Sequence, residues 1–399
     1  MKLILRDTYL NELSELINTP DIKIITGIRR SGKSKLLEAL KDLITASDPS
    51  ANIIHINYNL TEFEELHEYH MLESYVEDKY SAEDNNYVLI DEIQMCEHFE
   101  KAVNSLHAKE KYDIYITGSN AFLQSSDLAT LFVGRTYEVH ILPFSFKEYV
   151  TYFPSENVNA SLTKYITEGG MAGSYLYKDT DKKYRYINTE VLNALVIRDI
   201  VNKYKIRNEP LLHMLIDFMM DNIGSEISVR SITDSLAGGK TAADHKTIGK
   251  YIEYLCNAFA FYRVRRYDIK GKKYLRSEDK YYLSDHSFKY ARLGTKNMDY
   301  GHVLENIVAM ELIRRGYEIY VGVAGGKEVD FVAMKQGDRT YIQVSYDITE
   351  PKTFEREIAP LLKIADGYKK MIIARTYQPE YHHEGIKIID AAEWLLGDS

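Results

Sequence analysis

Eight residues near the N-terminus have the types and the spacing that bind phosphate. The run Gly27-Ile-Arg-Arg-Ser-Gly-Lys-Ser34 matches the pattern G-x-x-x-x-G-K-[ST]. Glycines let backbone N–H groups turn toward a phosphate, the lysine ammonium reaches the β and γ phosphates, and the serine hydroxyl ligates Mg²⁺. We therefore predict a phosphate-binding loop (P-loop) for ATP and Mg²⁺. The residues expected to contact the nucleotide are Gly27, Arg29, Arg30, Ser31, Gly32, Lys33, Ser34 and Lys35.

An acidic pair supplies the second half of such a site. The apolar run 87–90 ends in Asp91-Glu92, about 55 residues after the P-loop. Asp91 is expected to hold Mg²⁺ together with Ser34, and Glu92 to orient and deprotonate the attacking water. Gln94 either senses the γ-phosphate or faces solvent, and the sequence leaves both open.

Two further positions have a catalytic and an ordinary explanation. The run 112–117 is followed by Gly118-Ser119-Asn120, so Asn120 or Ser119 is a candidate sensor of water and γ-phosphate. The alternative is that these residues only form a turn. Arg135 is a candidate arginine finger that would contact the nucleotide of a neighbouring subunit. The alternative is that Arg135 forms a surface salt bridge. The finger requires self-association.

Alternating strands and helices must position these residues. β-branched or continuous apolar runs predict strands at 22–26, 52–57, 87–90, 112–117 and 136–142, and apolar positions at helical spacing predict a helix over 33–45. Strands that are buried on both faces and alternate with helices indicate a mostly parallel sheet in an α/β domain. The glycine loop thus follows a strand and opens a helix, which is the context that a P-loop requires.

After Pro143 the pattern changes to helices over 145–220, and then to the order of a winged helix. Predicted helices at 228–236 and 243–257 are followed by a β-hairpin. The hairpin segment 262–276 holds seven basic residues and one acid, and would contact DNA phosphates as the wing while 243–257 reads the major groove. The alternative is a structural connector with a solvated basic hairpin.

The N-terminal motifs look like a known family. The residues Thr26–Ser34, Leu89–Gln94, Thr117-Gly-Ser119 and Gly134-Arg135 resemble the prokaryotic AAA+-like ATPases of the AAA_14 type. The resemblance implies ATP binding, ATP hydrolysis and a role on DNA. It also implies a DUF4143-type C-terminal region, in which a winged helix precedes a fold related to the PD-(D/E)xK nucleases.

In that nuclease-like pattern, an acid on a helix and an acid on the first strand bind a metal ion. A Glu or Gln follows on the next strand, with Lys two residues later. Here Glu305, Asp330 and Gln343 fall on those positions, with Gln343 where Glu is usual and Ser345 where Lys is needed. An amide ligates Mg²⁺ less well than a carboxylate. Lys327 or Lys352 are possible substitutes for the missing lysine. We expect a degenerate domain that binds without cleaving.

Composition narrows the classes of protein. The chain has 399 residues, 45% of them hydrophobic and 27% charged, which is typical of a globular protein of several domains. Two cysteines exclude a disulfide framework, and no apolar run is long enough to cross a membrane, so we expect a cytoplasmic location. The net charge of −9 argues weakly against a protein coated in nucleic acid, but the segment 262–276 carries +6.

These observations predict an α/β protein with a P-loop NTPase domain, a helical region with a winged helix, and a small nuclease-like α/β domain. The expected boundaries are 1–143 for the ATPase domain, 144–205 for a helical lid or linker, 206–298 for the winged helix and 299–399 for the last domain. Three functions stay open. They are a Mg²⁺-dependent ATPase whose nucleotide state controls docking on DNA or protein, a binding switch with little turnover, and an ATP-driven nuclease.

Overall fold

The computed structural model describes residues 4–118, 132, 134–236, 244–275, 278–295 and 299–397. The chain divides into two units, one of them ending at Ile141 and the other beginning at Leu142. Each unit has its own sheet and its own apolar core.

The first unit contains a fully parallel five-stranded sheet. Its strands are β1 (Ile22–Thr26), β2 (Asn52–Asn57), β3 (Asn86–Asp91), β4 (Asp113–Thr117) and β5 (Thr136–His140). They run in the order β2-β3-β4-β1-β5, so β1 lies inside the sheet between β4 and β5. The predicted parallel α/β architecture is confirmed.

Helices cover both faces of this sheet because successive strand residues point to opposite sides. The helices are α1 (Asp7–Glu15), α2 (Lys33–Ser47), α3 (Tyr69–Asp78) and α4 (Phe99–Ala108), with short 3₁₀ turns at Thr61–His67 and Ile93–Met95. On one face Ile24 and Ile90 pack with helices α3 and α4, and on the other Ile25 and Leu89 pack with α1 and α2.

The second unit begins with a series of helices. They are α5 (Phe146–Tyr152), α6 (Val158–Glu168), α7 (Thr180–Tyr186), α8 (Glu209–Asp221), α9 (Val229–Leu236), α10 (His245–Asn257) and α11 (Ser287–Leu293), with a 3₁₀ turn at Ala172–Leu176 and π-helical stretches at Ile187–Leu192 and Leu195–Asn202. Helices α9 and α10 correspond to the pair predicted at 228–236 and 243–257; residue 243 lies outside the described residues.

Two sheets complete the second unit. Strands β6 (Phe261–Val264) and β9 (Lys280–Leu283) form an antiparallel pair. The strands of a mixed eight-stranded sheet are β7 (Arg266–Asp268), β8 (Lys273–Tyr274), β10 (Glu318–Ala324), β11 (Lys327–Lys335), β12 (Asp338–Ser345), β13 (Lys369–Ala374), β14 (Tyr381–His383) and β15 (Ile386–Asp390). Their order in the sheet is β14-β15-β13-β12-β11-β10-β7-β8. The accompanying helices are α12 (Tyr300–Arg314), α13 (Pro351–Leu362) and α14 (Ala391–Leu396).

The basic segment 262–276 is divided between these two sheets. Strand β6 pairs with β9, whereas β7 pairs in parallel with β10, Arg266 standing opposite Val321. The eight-stranded sheet therefore draws strands from both sides of the boundary expected at 298–299. The described residues contain no helix that is long and apolar enough to cross a membrane.

Candidate nucleotide-binding site

The P-loop lies at the carboxyl edge of the sheet, between the end of β1 and the start of α2. Gly27 has φ +141°, and a Cβ there would come within 2.3 Å of the Ile141 carbonyl oxygen, so the loop needs glycine at this position. Gly32 has φ +102° and precedes the first turn of α2. The N-terminus of α2, with its partial positive charge, therefore faces the space that the loop encloses.

Lys33 is buried at the base of this loop. Its Nζ atom donates hydrogen bonds to the carbonyl oxygens of Gly27, at 2.9 Å, and Ile28, at 3.2 Å. From outside the loop, the Arg6 guanidinium donates to the carbonyl oxygen of Ser31 at 3.0 Å. The loop is thus held from both sides by cationic side chains. Lys35 points outward and pairs with Glu38 on the exposed face of α2.

Asp91 lies at the end of β3, beside the loop, and is 1% exposed. Burial raises the pKa of its carboxyl, and the hydroxyls of Thr117 and Ser34 and the ammonium of Lys33 act against that rise. The Oδ2 atom is buried and accepts no hydrogen bond of ordinary geometry from the described residues. An unsatisfied carboxylate oxygen next to a hydroxyl offers the oxygen ligands that Mg²⁺ prefers. Asp91 and Ser34 therefore fit a Mg²⁺ ion.

Thr117 links both acids and was missed by the sequence reasoning. This fully buried residue ends β4, the strand next to β3. Its hydroxyl donates to the Oδ1 atom of Asp91 and accepts the backbone N–H of Glu92 at 3.1 Å. The available signal was a polar residue ending the strand beside the Asp-Glu strand. The predicted sensors, Ser119 and Asn120, lie outside the described residues.

Glu92 is held in a left-handed backbone conformation, at φ +59° and ψ +46°. The amide of Gln94 donates a hydrogen bond to its carboxylate. Gln94 therefore touches the predicted general base instead of simply facing solvent, and an amide donor on that carboxylate competes with a water for the same lone pairs.

Arg135 lies away from its own P-loop. It immediately precedes Thr136, which pairs with Ile22 at the amino edge of the sheet, whereas Gly27 follows the carboxyl edge. At 3.3 Å per residue, the five residues of β1 separate the two edges by roughly 16 Å. Arg135 is exposed at this edge, so a catalytic use of this residue requires a second copy of the chain.

The second unit brings together the residues of the nuclease-like pattern. Glu305 from α12, Asp330 from β11 and Gln343 from β12 line one cleft of about 360 Å³. Lys280, which the sequence reasoning did not select, lies among them. Within the described residues no three His, Cys, Asp or Glu side chains form a group that could hold a metal ion. Ser345 also lines the cleft.

A parallel sheet of this order, with a phosphate-binding loop after β1 and an acidic pair after β3, defines a P-loop ATPase domain. Residues 19–150 match the AAA domain family AAA_14, and residues 159–299 match a domain of unknown function, DUF8612. The first match confirms the AAA+-like ATPase class, and with it ATP binding and ATPase character at a general level. The second stands in place of the DUF4143-type region that the resemblance implied.

Two relatives match most of the chain. The chain is 36% identical over 99% of its residues to an uncharacterized protein of Haemophilus influenzae, covering 99% of that protein. It is 30% identical over 84% of its residues to the uncharacterized protein MJ1544 of Methanocaldococcus jannaschii, covering 77% of it. The chain belongs to the family of these two proteins.

A solved structure shares the fold. The Walker-type ATPase PABY2304 of Pyrococcus abyssi is similar with a TM-score of 0.50 and 18% sequence identity, over 73% of this chain and 96% of that one. At this identity the likeness is one of fold alone.

Proposed function

We propose that the chain is a Mg²⁺-dependent ATPase whose nucleotide state controls the docking of its second unit on DNA or on a protein partner. The observation that carries the proposal is the convergence of Lys33, Ser34, Asp91 and Thr117 at the carboxyl edge of one sheet. In this arrangement Lys33 would neutralise the β and γ phosphates. Ser34 and Asp91 would hold Mg²⁺, which would polarise the γ-phosphate when bound.

Glu92 is the proposed general base for water. Its carboxylate lies one residue beyond the Mg²⁺-binding Asp91, and the Thr117 hydroxyl fixes the backbone N–H between the two side chains. The bond from Gln94 must then be exchanged for one to water during turnover. The proposed role of Thr117 is to hold Asp91 and Glu92 in fixed positions relative to each other.

Steady-state ATP turnover tests the proposal. Lys33→Ala is expected to abolish turnover because it removes the cation that faces the transferred phosphate, while the matched exposed lysine variant Lys111→Ala keeps the parental rate. A Lys33→Ala protein that hydrolyses ATP as fast as its parent would refute an ATPase at this site.

The proposed arginine finger requires a second copy. Arg135 is exposed at the edge opposite its own P-loop, so only a neighbour's nucleotide is available to it. Turnover per molecule is expected to rise with protein concentration. Mixing inactive Arg135→Ala with inactive Lys33→Ala should restore activity, because mixed assemblies contain one intact composite site. Failure of the mixture to regain activity would remove the finger.

DNA docking is proposed through exposed cations of α10 and the β7–β8 hairpin. Lys246 and Lys250 are exposed on the helix, and Lys270, Lys272 and Lys273 on the hairpin. Arg263, by contrast, is engaged by Asp279 at 2.6 Å, and Arg266 by Glu226 at 2.9 Å. The ion pairs reduce the number of cations that this surface offers to phosphates.

Salt dependence tests the docking surface. Each phosphate contact contributes about −0.9 to the slope of log K against log salt concentration. Lys272→Gln with Lys273→Gln is expected to flatten that slope by about 2, whereas Lys178→Gln with Lys182→Gln, two exposed lysines of another segment, leaves it unchanged. An unchanged slope in the first pair would direct the search to a protein partner.

A binding switch with little turnover is the second candidate, and the Gln94–Glu92 hydrogen bond favours it. A carboxylate that accepts an amide N–H is a poorer acceptor for the proton of a water. Under this alternative the parent binds ATP stoichiometrically with little hydrolysis, and Gln94→Ala hydrolyses faster. Rapid turnover by the parent would exclude it.

A further inference from the structure

The second unit buries a lysine among carboxylates where the nuclease-like pattern expects a metal ion. Lys280 is on β9, and its side chain is 4% exposed. Its Nζ atom lies 2.9 Å from Glu305 Oε1, 2.6 Å from Glu328 Oε1 and 4.0 Å from Asp330 Oδ1. Two of these three acids, Glu305 and Asp330, are the metal ligands that the pattern assigns.

Other groups of the chain also bind oxygens of these residues. The Tyr282 hydroxyl donates to Glu305 Oε1 at 2.6 Å, and the backbone N–H of Val344 donates to Asp330 Oδ2 at 2.7 Å. Gln343, the third position of the pattern, donates its amide to Glu357 at 2.9 Å. A divalent ion needs oxygen ligands that point at it from 2.0 to 2.6 Å. The set as arranged does not fit one.

The charge of Lys280 also opposes the binding of a metal ion. Any divalent ion within bonding distance of Glu305 and Asp330 would lie close to the ammonium of Lys280, and two cations in a buried site repel strongly. The ammonium of Lys280 lies within 4.0 Å of three carboxylates, which is the position a metal ion would need. The site therefore already contains its cation.

We infer that Lys280 is a built-in counter-ion that takes the place of a divalent metal in this cleft. The cleft consequently needs no metal to be stable, and the second unit is not a metal-dependent nuclease. Removal of the ammonium leaves three carboxylates around the space it filled. These carboxylates would then repel one another, so we expect them to rearrange around a divalent ion when Lys280 is replaced.

Mn²⁺ binding to the full chain tests the inference, with Asp91→Asn as the common background so that the P-loop site contributes no metal. Electron paramagnetic resonance counts the bound Mn²⁺. Adding Lys280→Met is expected to create one further site, with affinity at least about tenfold above any binding by the background protein. The control is Lys183→Met, which removes a buried lysine with one carboxylate partner, Glu168 at 2.6 Å, and should create none.

Two outcomes would overturn the inference. One is a Mn²⁺ site in the background protein that Asp330→Asn removes, because Lys280 would then coexist with a metal. The other is a folded Lys280→Met protein that gains no site. If Lys280→Met does not fold, the first comparison alone decides. The inference then requires that Asp330→Asn leaves Mn²⁺ binding by the background protein unchanged. It also requires that EDTA leaves the thermal midpoint of the background protein unchanged.

A cleavage assay adds an independent readout. The parent protein is expected to leave plasmid DNA intact with Mg²⁺, Mn²⁺ or Ca²⁺, with or without ATP. Cleavage that disappears in Asp330→Asn would contradict the inference, whatever the Mn²⁺ counts show.

Discussion

Replacing Thr117 by valine isolates one hydroxyl at the proposed ATPase site. Valine has nearly the same shape, so no cavity forms, but Asp91 loses a donor and the N–H of Glu92 loses its acceptor. A hydrogen bond to a charged group contributes about 1.5–3 kcal/mol. At about 1.4 kcal/mol per factor of ten, loss of that interaction in the transition state lowers kcat by roughly 10- to 100-fold.

Steady-state turnover with saturating Mg²⁺–ATP measures this effect, and a thermal melt of each variant excludes simple unfolding. Thr117→Ser keeps the hydroxyl and is expected to retain most of the activity. Parental turnover in Thr117→Val would show that the hydroxyl does not organise the acids. Equal losses in the serine and valine variants would assign the effect to packing of the methyl group instead.

Three further predictions concern stability, ATP binding and pH. Lys23→Met leaves Asp113 buried without its 2.6 Å ion pair and is expected to lower the free energy of unfolding by about 3–5 kcal/mol in urea titrations; a loss below about 1 kcal/mol would mean that water or a neighbour compensates. Gly27→Ala forces a Cβ to 2.3 Å from a carbonyl oxygen and should abolish ATP binding in a fluorescence titration, whereas Gly367→Ala, with open space around it and no positive φ, should keep it. Burial raises the pKa of Glu226 from 4.5 to about 7. The free energy of unfolding therefore falls as the pH rises from 4.5 to about 7, because the folded protein resists ionisation of this carboxyl. Glu226→Gln is therefore expected to stabilise the protein at pH 8 but not at pH 4, and equal effects at both values would contradict the raised pKa.

The N-terminal sheet and the P-loop were predictable because each follows from local pattern. Continuous apolar runs predicted the strands that carry Thr26 and Asp91, and the glycine spacing predicted the loop between β1 and α2. The motif and the elements that flank it lie together in the chain, so no tertiary information is needed to connect them.

Contacts made across long sequence separations were not predictable in the same way. Thr117 reaches Asp91 through strand order, and Lys280 reaches Asp330 across 50 residues. Neither pairing has a local signature. The strands β7 and β8 are three and two residues long, too short for a period-two pattern to emerge. The four-domain division expected from the sequence depended on these positions and stays a prediction.

The pairing of β7 with β10 has a consequence for how the second unit tolerates being cut. A fragment that begins at residue 299 would retain β10 but lose the strand that covers its outer side. The exposed edge would present unpaired N–H and C=O groups, which recruit strands from other molecules and lead to aggregation. The same cut would remove Lys280 and leave Glu305 and Asp330 without their cation. The eight-stranded sheet is therefore expected to be stable on expression only together with the helices and strands that precede residue 299.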